Sequence, residues 1–388
     1  MSNTNDPFVE HPFAAAGRRA LDGTVLPPDL VIVTPDGIVR RFNPTTAEDE
    51  AADTHELPEL RGARILRVTA SAQDPRAGEE RLVVTISAVR TDGNAAFILL
   101  QRTAAGWNRV ELRRGPGDPR DVAMASSTGF AAIAGGKVQT YYATMRRAGL
   151  SVYAYGFDNS GKDFIVFLAD NPRGVDVVAT PADTREFSIA RIEGDRLSFY
   201  PPAREIDWRD MYRGVVPVYI NFARPSTTFQ LPAAPQQPDG GCMTPITDSM
   251  RFCRGMLIRT VNGELYVCAF ADGRRRQSVG VLTGHPNGPR TVKQVRSAVY
   301  RERHFHLFAV DEQDRIWYAD WPSGAPIEDL AWDSTGQSGS YIDAPQIMND
   351  KPFVFVQHDV HRVDRIAEGN PGEPWTRTRI DVSTLQAR

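Results

Sequence analysis

The sequence predicts an all-β chain folded as a single β-propeller, with seven blades as the leading count and six or eight also open. Three observations lead there. Short runs of β-branched and aromatic residues recur in pairs around tight turns, which is how hairpins read. The pairs begin near residues 30, 82, 131, 188, 256, 306 and 353, a spacing of about 50 residues that suits a four-stranded blade. No long segment carries the 3.6-residue period of an amphipathic helix. A small sheet that is apolar on both faces cannot bury itself, whereas a ring of such sheets packed face to face buries them all and leaves only short edges. The rival arrangement is a pair of stacked β-sandwich domains, divided near the proline-rich passage.

Taken in order, residues 1–29 read as a tail or a closing strand, and the propeller as 30–388. The first hairpin is Leu30 to Phe42, turning at Pro35-Asp36-Gly37, where proline and glycine suit a tight reversal. An acidic, alanine-rich stretch between Asn43 and Pro58 reads as a solvated loop. Three strands follow from Leu82 to Leu112, with turns at Asp92-Gly93-Asn94 and Ala104-Ala105-Gly106. The next hairpin is Phe130 to Tyr142, and the pair in Ser151 to Asp170 either completes that blade or begins another. Phe187 to Tyr200 and Val215 to Phe222 flank a possible short helix at Glu205 to Tyr212. Residues 231–255 open with LPAAPQQPDGGC and read as a proline-rich surface loop. Hairpins resume at Met256 to Phe270, His304 to Trp321 and Phe353 to Ile366. The strand Trp375 to Val382 ends the series, and it is expected to share a blade with the N-terminal region and so close the ring.

Composition narrows the function. The chain has 388 residues, 41% hydrophobic and 24% charged, with a formal charge of -3, the balance of a globular protein with ample core. This gives no electrostatic reason to expect nucleic acid or an anionic membrane as partner. No signal segment and no run of about 18 apolar residues appears, so the expectation is a soluble protein, cytoplasmic or secreted without a recognisable signal peptide. Only Lys137, Lys162, Lys293 and Lys351 are lysine, so arginine carries nearly all the positive charge. Cys268 reads as a small core residue, while Cys242 and Cys253 flank a loop and would pair only in an oxidising compartment.

The run His306 to Trp321, HLFAVDEQDRIWYADW, resembles the blade signature of tectonin-like and fucose-binding-lectin-like propellers. MLIRTVNGELYVCAF is similar, with Tyr266 in place of the tryptophan. Trp107 after Gly106 and Trp375 after Gly372 look like the tryptophan that starts an outer strand in that family. The resemblance implies the propeller fold and, as an expectation, a sugar ligand.

A sugar asks for an aromatic face and for charged side chains that pair with hydroxyls in one plane. Arg315, Trp317, Asp320 and Trp321 offer such a set within one hairpin, although strand alternation lets only part of it meet one ligand. The competing role for Trp317 and Trp321 is packing between blades. His304 and His306, two apart on a strand, project from one face; with His358 of the next unit they form the alternative set, for a metal or for acid-base work. Against that set, His361 points away from His358 in a regular strand. Arg274-Arg275-Arg276 reads as a solvated turn, and Glu205, Asp207 and Asp210 lack a matching partner site. There is no phosphate-binding glycine loop, GxSxG elbow or HExxH. The leading expectation is therefore a non-catalytic module that binds a glycan or a protein, with no cofactor and no metal. The alternative is an enzyme, a hydrolase, lyase or cyclase, with His304, His306 and His358 at the central channel.

Overall fold

A computed structural model describes residues 12–19, 25–42, 53–72, 82–110, 122–133, 137–146, 149–157, 163–171, 176–179, 189–193, 195–200, 227–231, 243–248, 253–260, 262–271, 276–294, 298–301, 303–348, 351–359, 362–370 and 373–381. Most of these residues are strand. The first meander contains β1 (Phe13–Arg19), β2 (Val25–Val33), β3 (Ile38–Phe42) and β4 (Thr54–Glu56), and the second β5 (Arg64–Ala72), β6 (Leu82–Val89), β7 (Ala95–Thr103) and β8 (Gly106–Val110). The third contains β9 (Val122–Ile133), β10 (Lys137–Arg146), β11 (Gly149–Phe157) and β12 (Asp163–Asn171), so Ser151 to Asp170 completes the sheet begun at Phe130. The fourth contains β13 (Asp176–Ala179), β14 (Ile189–Glu193), β15 (Arg196–Tyr200) and β16 (Thr227–Gln230).

The fifth meander contains β17 (Met243–Asp248), β18 (Cys253–Arg259), β19 (Leu265–Ala271) and β20 (Arg276–Val281). A short strand β21 (Val292–Gln294) then leads to the sixth, with β22 (Ala298–Arg301), β23 (His304–Asp311), β24 (Arg315–Pro322) and β25 (Asp333–Ser338). The seventh contains β26 (Tyr341–Met348), β27 (Lys351–Asp359), β28 (Arg362–Ala367) and β29 (Thr376–Asp381). Within each meander the strands are antiparallel and paired in chain order. The first strand of every meander touches the first strand of the next, and β26 returns to touch β1. One β-propeller fits this cyclic order.

Alternation explains why each sheet needs two neighbours. In β23, Phe305, Leu307 and Ala309 join the core against the fifth meander, while Phe308 and Val310 join the core against the seventh. In β27, Val354 and Val356 face the sixth meander and Phe353 and Phe355 face the first. Successive side chains leave opposite faces of a strand, so a strand apolar throughout is buried on both sides. Each fully buried Phe, Leu or Val contributes about 1.5–3 kcal/mol. The seam between the seventh and first meanders, with Phe13 edge-on to Tyr341 at 5.5 Å, is lined by buried residues like the others described.

Several expectations differ from what is seen. The last strand does not share a sheet with the N-terminal region: β29 is the outer strand of its own meander, β1 is hydrogen-bonded to β2, and closure is by face packing. Thus β1 and the start of β2 occupy part of residues 1–29. Strand β17 and the start of β18 lie inside 231–255, since Thr244, Ile246 and Thr247 carry strand propensity despite Pro245. Trp107 stands at the start of β8 and Trp375 just before β29, both fourth strands. Glu205 to Tyr212, Val215 to Phe222, Cys242, Arg274, Arg275 and His361 lie outside the described residues. Cys268 is buried, and desolvation pushes its thiol up to about 12. Among the described residues, no helix is long and apolar enough to cross a membrane.

The turns keep the register. Gly37 has φ 77°, and a Cβ there would run into the carbonyl of Leu57, whose own N–H donates to the Gly37 carbonyl at 2.7 Å. Only glycine allows the backbone of the first turn to lie against the segment leading out of β4.

Candidate functional site

The β23–β24 hairpin carries the set singled out from the sequence, and the structure divides that set between its two ends. At the turn, Asp314 adopts a left-handed φ of 62° and returns its N–H to the Asp311 carbonyl at 3.0 Å. This tight reversal places the Asp311 carboxylate beneath the start of β24.

Asp311 is 2% exposed. Its Oδ1 accepts from the backbone N–H groups of Gln313 and Arg315, both at 2.9 Å. Its Oδ2 accepts from Arg315 Nε at 2.7 Å and Trp317 Nε1 at 3.0 Å. Burial alone would raise the Asp311 pKa, but the Trp317 indole donor and the Arg315 backbone and side-chain donors outweigh it and hold the carboxyl below its ordinary range. One carboxylate therefore fixes both a guanidinium and an indole. The Arg315 guanidinium lies over the Trp317 ring, 5.4 Å from its centroid, in a cation–π contact. The Arg315 side chain is 57% exposed and Trp317 is half-buried. Nearby, Lys293 Nζ donates to Asp314.

At the other end of the hairpin, Trp321 shares the face of Trp317 but is 2% exposed. It stacks on Phe305 with ring centroids 5.2 Å apart, and its Nε1 donates to the Pro326 carbonyl at 3.4 Å. It is taken up in the packing between the fifth and sixth meanders. Asp320 lies on the opposite face and accepts from His304 Nδ1 at 2.6 Å. His306 Nδ1 and Tyr318 Oη share a hydrogen bond of 2.7 Å. Arg315 and Trp317 are thus brought together, while Asp320 and Trp321 are not brought to them.

The three histidines of the alternative set are also separated. His304 begins β23, whereas His358 lies near the end of β27. Ser340 Oγ donates to the His358 carbonyl, and the adjacent Gly339 N–H donates to the carbonyl of Asp314 in the β23–β24 turn. His358 therefore sits at the turn end and His304 at the far end. The rings of His304 and His306 are nearly parallel, 26° apart in plane, with centroids 6.3 Å apart. A shared zinc would need donor nitrogens about 3.3 Å apart, given bonds of about 2.0 Å, so this pair does not converge. Among the described residues, no group of three or more His, Cys, Asp or Glu side chains is placed to hold a metal.

Two features escaped sequence reasoning. Asp53 holds a similar arrangement between the first two meanders, accepting from Trp107 Nε1 and Arg102 Nε at 2.7 Å each and from Arg41 Nη1 at 3.0 Å. Arg102 and Trp107 lie 49 and 54 residues from the carboxylate and Arg41 lies 12, so no local pattern announces the contact. In the seventh meander, Asp364 is fully buried beside Arg362 Nη2 at 3.0 Å, His358 Nε2 at 3.1 Å and Arg377 Nε at 3.5 Å. The Asp311 unit was more accessible: an aspartate at the first turn position, followed by Arg and Trp four and six residues on, is a local signal.

No protein-family model matches the chain, and no curated protein matches it. Among solved structures, the chain is similar to the Aleuria aurantia lectin, a fungal lectin described as a six-bladed β-propeller with a fucose recognition mode, at 10% identity over 97% of each chain with a TM-score of 0.45. It is similar to SapL1 lectin, solved with alpha methyl fucoside, at 13% identity over 97% of this chain and 98% of that one, TM-score 0.43. It is also similar to Saccharomyces cerevisiae Sqt1 at 10% identity, over 98% and 96% of the two chains, TM-score 0.49.

Proposed function

We propose that this chain is a non-catalytic β-propeller module that binds a glycan at the turn end of the sixth meander, with Trp317 as the stacking surface and Arg315 as the hydrogen-bonding head. The observation that carries the reading is the Asp311 carboxylate, which bonds both side chains and holds a planar cation over part of an aromatic plane in a half-exposed position. A ligand then meets groups already ordered, and little side-chain entropy remains to be lost on binding. The scale also favours a sugar over a protein: the pair spans one hairpin, whereas a stable protein interface covers about 800 Å² on each partner.

Titration calorimetry against a panel of simple sugars, supported by a glycan array, tests the proposal. The expected result is binding to at least one sugar class, weakened about tenfold in Trp317→Ala, the loss expected when an aromatic platform is removed. No binding to any sugar, with a protein co-purifying in stoichiometric amount, would move the assignment to a protein scaffold.

A further inference from the structure

The charge at this site narrows the class of glycan. Asp311 is buried and accepts four hydrogen bonds, so its negative charge is directed inward, toward Gln313, Arg315 and Trp317. Asp314 is paired with Lys293. The Arg315 guanidinium is what reaches outward: Nε is held by Asp311 and Nη2 donates to Gln313 Oε1 at 3.2 Å. Nη1, on the far side of the fork, has no partner among the described residues. A second guanidinium stands close by, already paired through Nε with the buried Asp364 carboxylate at 3.5 Å: Arg377 Nη2 donates at 2.6 Å to the carbonyl of Ser338, and Ser338 pairs with Arg315 across the β24–β25 ladder. Of the acidic side chains on the turn, Glu312 is the exposed one without a described partner.

We infer that the site takes an acidic glycan, one whose carboxylate or sulfate meets Arg315 while the sugar ring stacks beside it on Trp317. The inference rests on the glycan reading above and adds the charge of the ligand to it. A guanidinium stacked on an indole keeps its donor fork in one plane, the geometry that pairs with a planar or tetrahedral oxyanion. Lysine has the charge but not the fork, so Arg315→Lys retains attraction and loses alignment.

The test compares methyl β-glucuronide, glucose 6-sulfate and methyl β-glucoside by titration calorimetry at low salt and at 0.5 M salt. The acidic ligands are expected to bind about fivefold or more tighter than the neutral one at low salt, and the advantage should shrink at high salt as the charges are screened. Arg315→Gln should bring the acidic ligands down to the neutral level, with Arg315→Lys between them; matching melting temperatures confirm that the variants are folded. A preference for carboxylate over sulfate, or the reverse, identifies which oxyanion the fork accepts. Equal binding of neutral and acidic sugars overturns the inference and leaves the glycan reading standing. Acidic binding that survives unchanged in Arg315→Gln overturns it as well. No binding of any sugar by the native protein brings down both.

Discussion

The two ends of the β23–β24 hairpin solve the problem of placing a carboxylate in opposite ways. At the turn end, Asp311 is enclosed and its oxygens accept four N–H donors. At the other end, Asp320 is exposed and pairs with His304, and across the seam Glu368 of the seventh meander feels it. Burial, and then the Asp320 charge, raise the Glu368 pKa, with Lys351 opposing. Tyr318 between them is raised too, by burial first and then by Asp320, Glu368 and Asp333. A satisfied carboxylate orders its neighbours into a rigid surface. The crowded Glu368 carboxylate favours a proton. The first end is therefore the one prepared for recognition.

The largest effect that sharpens the contrast comes from the two tryptophans on one face. Trp321→Ala should cost about 3–5 kcal/mol in urea unfolding, as expected for emptying a filled seam. Trp317→Ala should cost far less stability and should show its effect in ligand binding. If the two variants are equally destabilised, Trp317 is a packing residue and the turn end is not a prepared surface.

Next is Asp311 itself. Asp311→Ala leaves the Trp317 N–H, Arg315 Nε and two turn N–H groups without their acceptor and should cost about 2–4 kcal/mol. Because the folded pKa of Asp311 is lowered, its contribution is present above the unfolded value near 4 and is lost as pH falls through the folded value. The gap in stability between the native chain and Asp311→Ala should therefore narrow in acid. A gap independent of pH below 5 would mean the carboxylate charge is not what orders the turn.

The smallest effect belongs to the other end. The raised pKa of Glu368 means the protonated form suits the folded state, so its favourable contribution is present below about 4.5 and lost as pH rises through the folded value. Glu368→Gln keeps the neutral form at all pH values. It should match the native chain in acid and exceed it at neutral pH by about 0.5 kcal/mol or less, since the group is only partly buried and solvent screens it. A clear loss at neutral pH would show that Glu368 is an acceptor of bonds, not a crowded charge.

Much of the fold was legible because the second and third strands of the meanders, such as Leu30 to Val33 against Val39 or Phe353 to Val356 against Ile366, are apolar on both faces. Most first strands were missed, and of β9 only the end was read, in the hairpin at Phe130 to Tyr142. Their sequences, such as FAAAGRR in β1, RILRVTASA in β5 and VAMASSTGFAAI in β9, are rich in Ala, Ser, Thr and Gly. These strands touch both neighbours around the ring, where small side chains fit and the usual apolar alternation fades. At the site, alternation rightly put Arg315 and Trp317 on one face. It could not say that Trp321, on the same face, is covered by Phe305 and the Pro326 loop, because period-two reasoning gives the side of a sheet and not the depth. The separation of His304 from His358 was available from the sequence, since one begins its strand and the other ends it. The Asp53 contacts to Arg102 and Trp107 were not, because they join segments about 50 residues apart.

The most direct measurement follows the indole N–H resonances of the six tryptophans by NMR while a bound glycan is titrated in. The account predicts that the Trp317 signal, identified by its absence in Trp317→Phe, moves with the ligand while the Trp321 signal stays. If no indole signal responds, or the responding one persists in Trp317→Phe, the ligand lies elsewhere and the turn end of the sixth meander is not the binding surface.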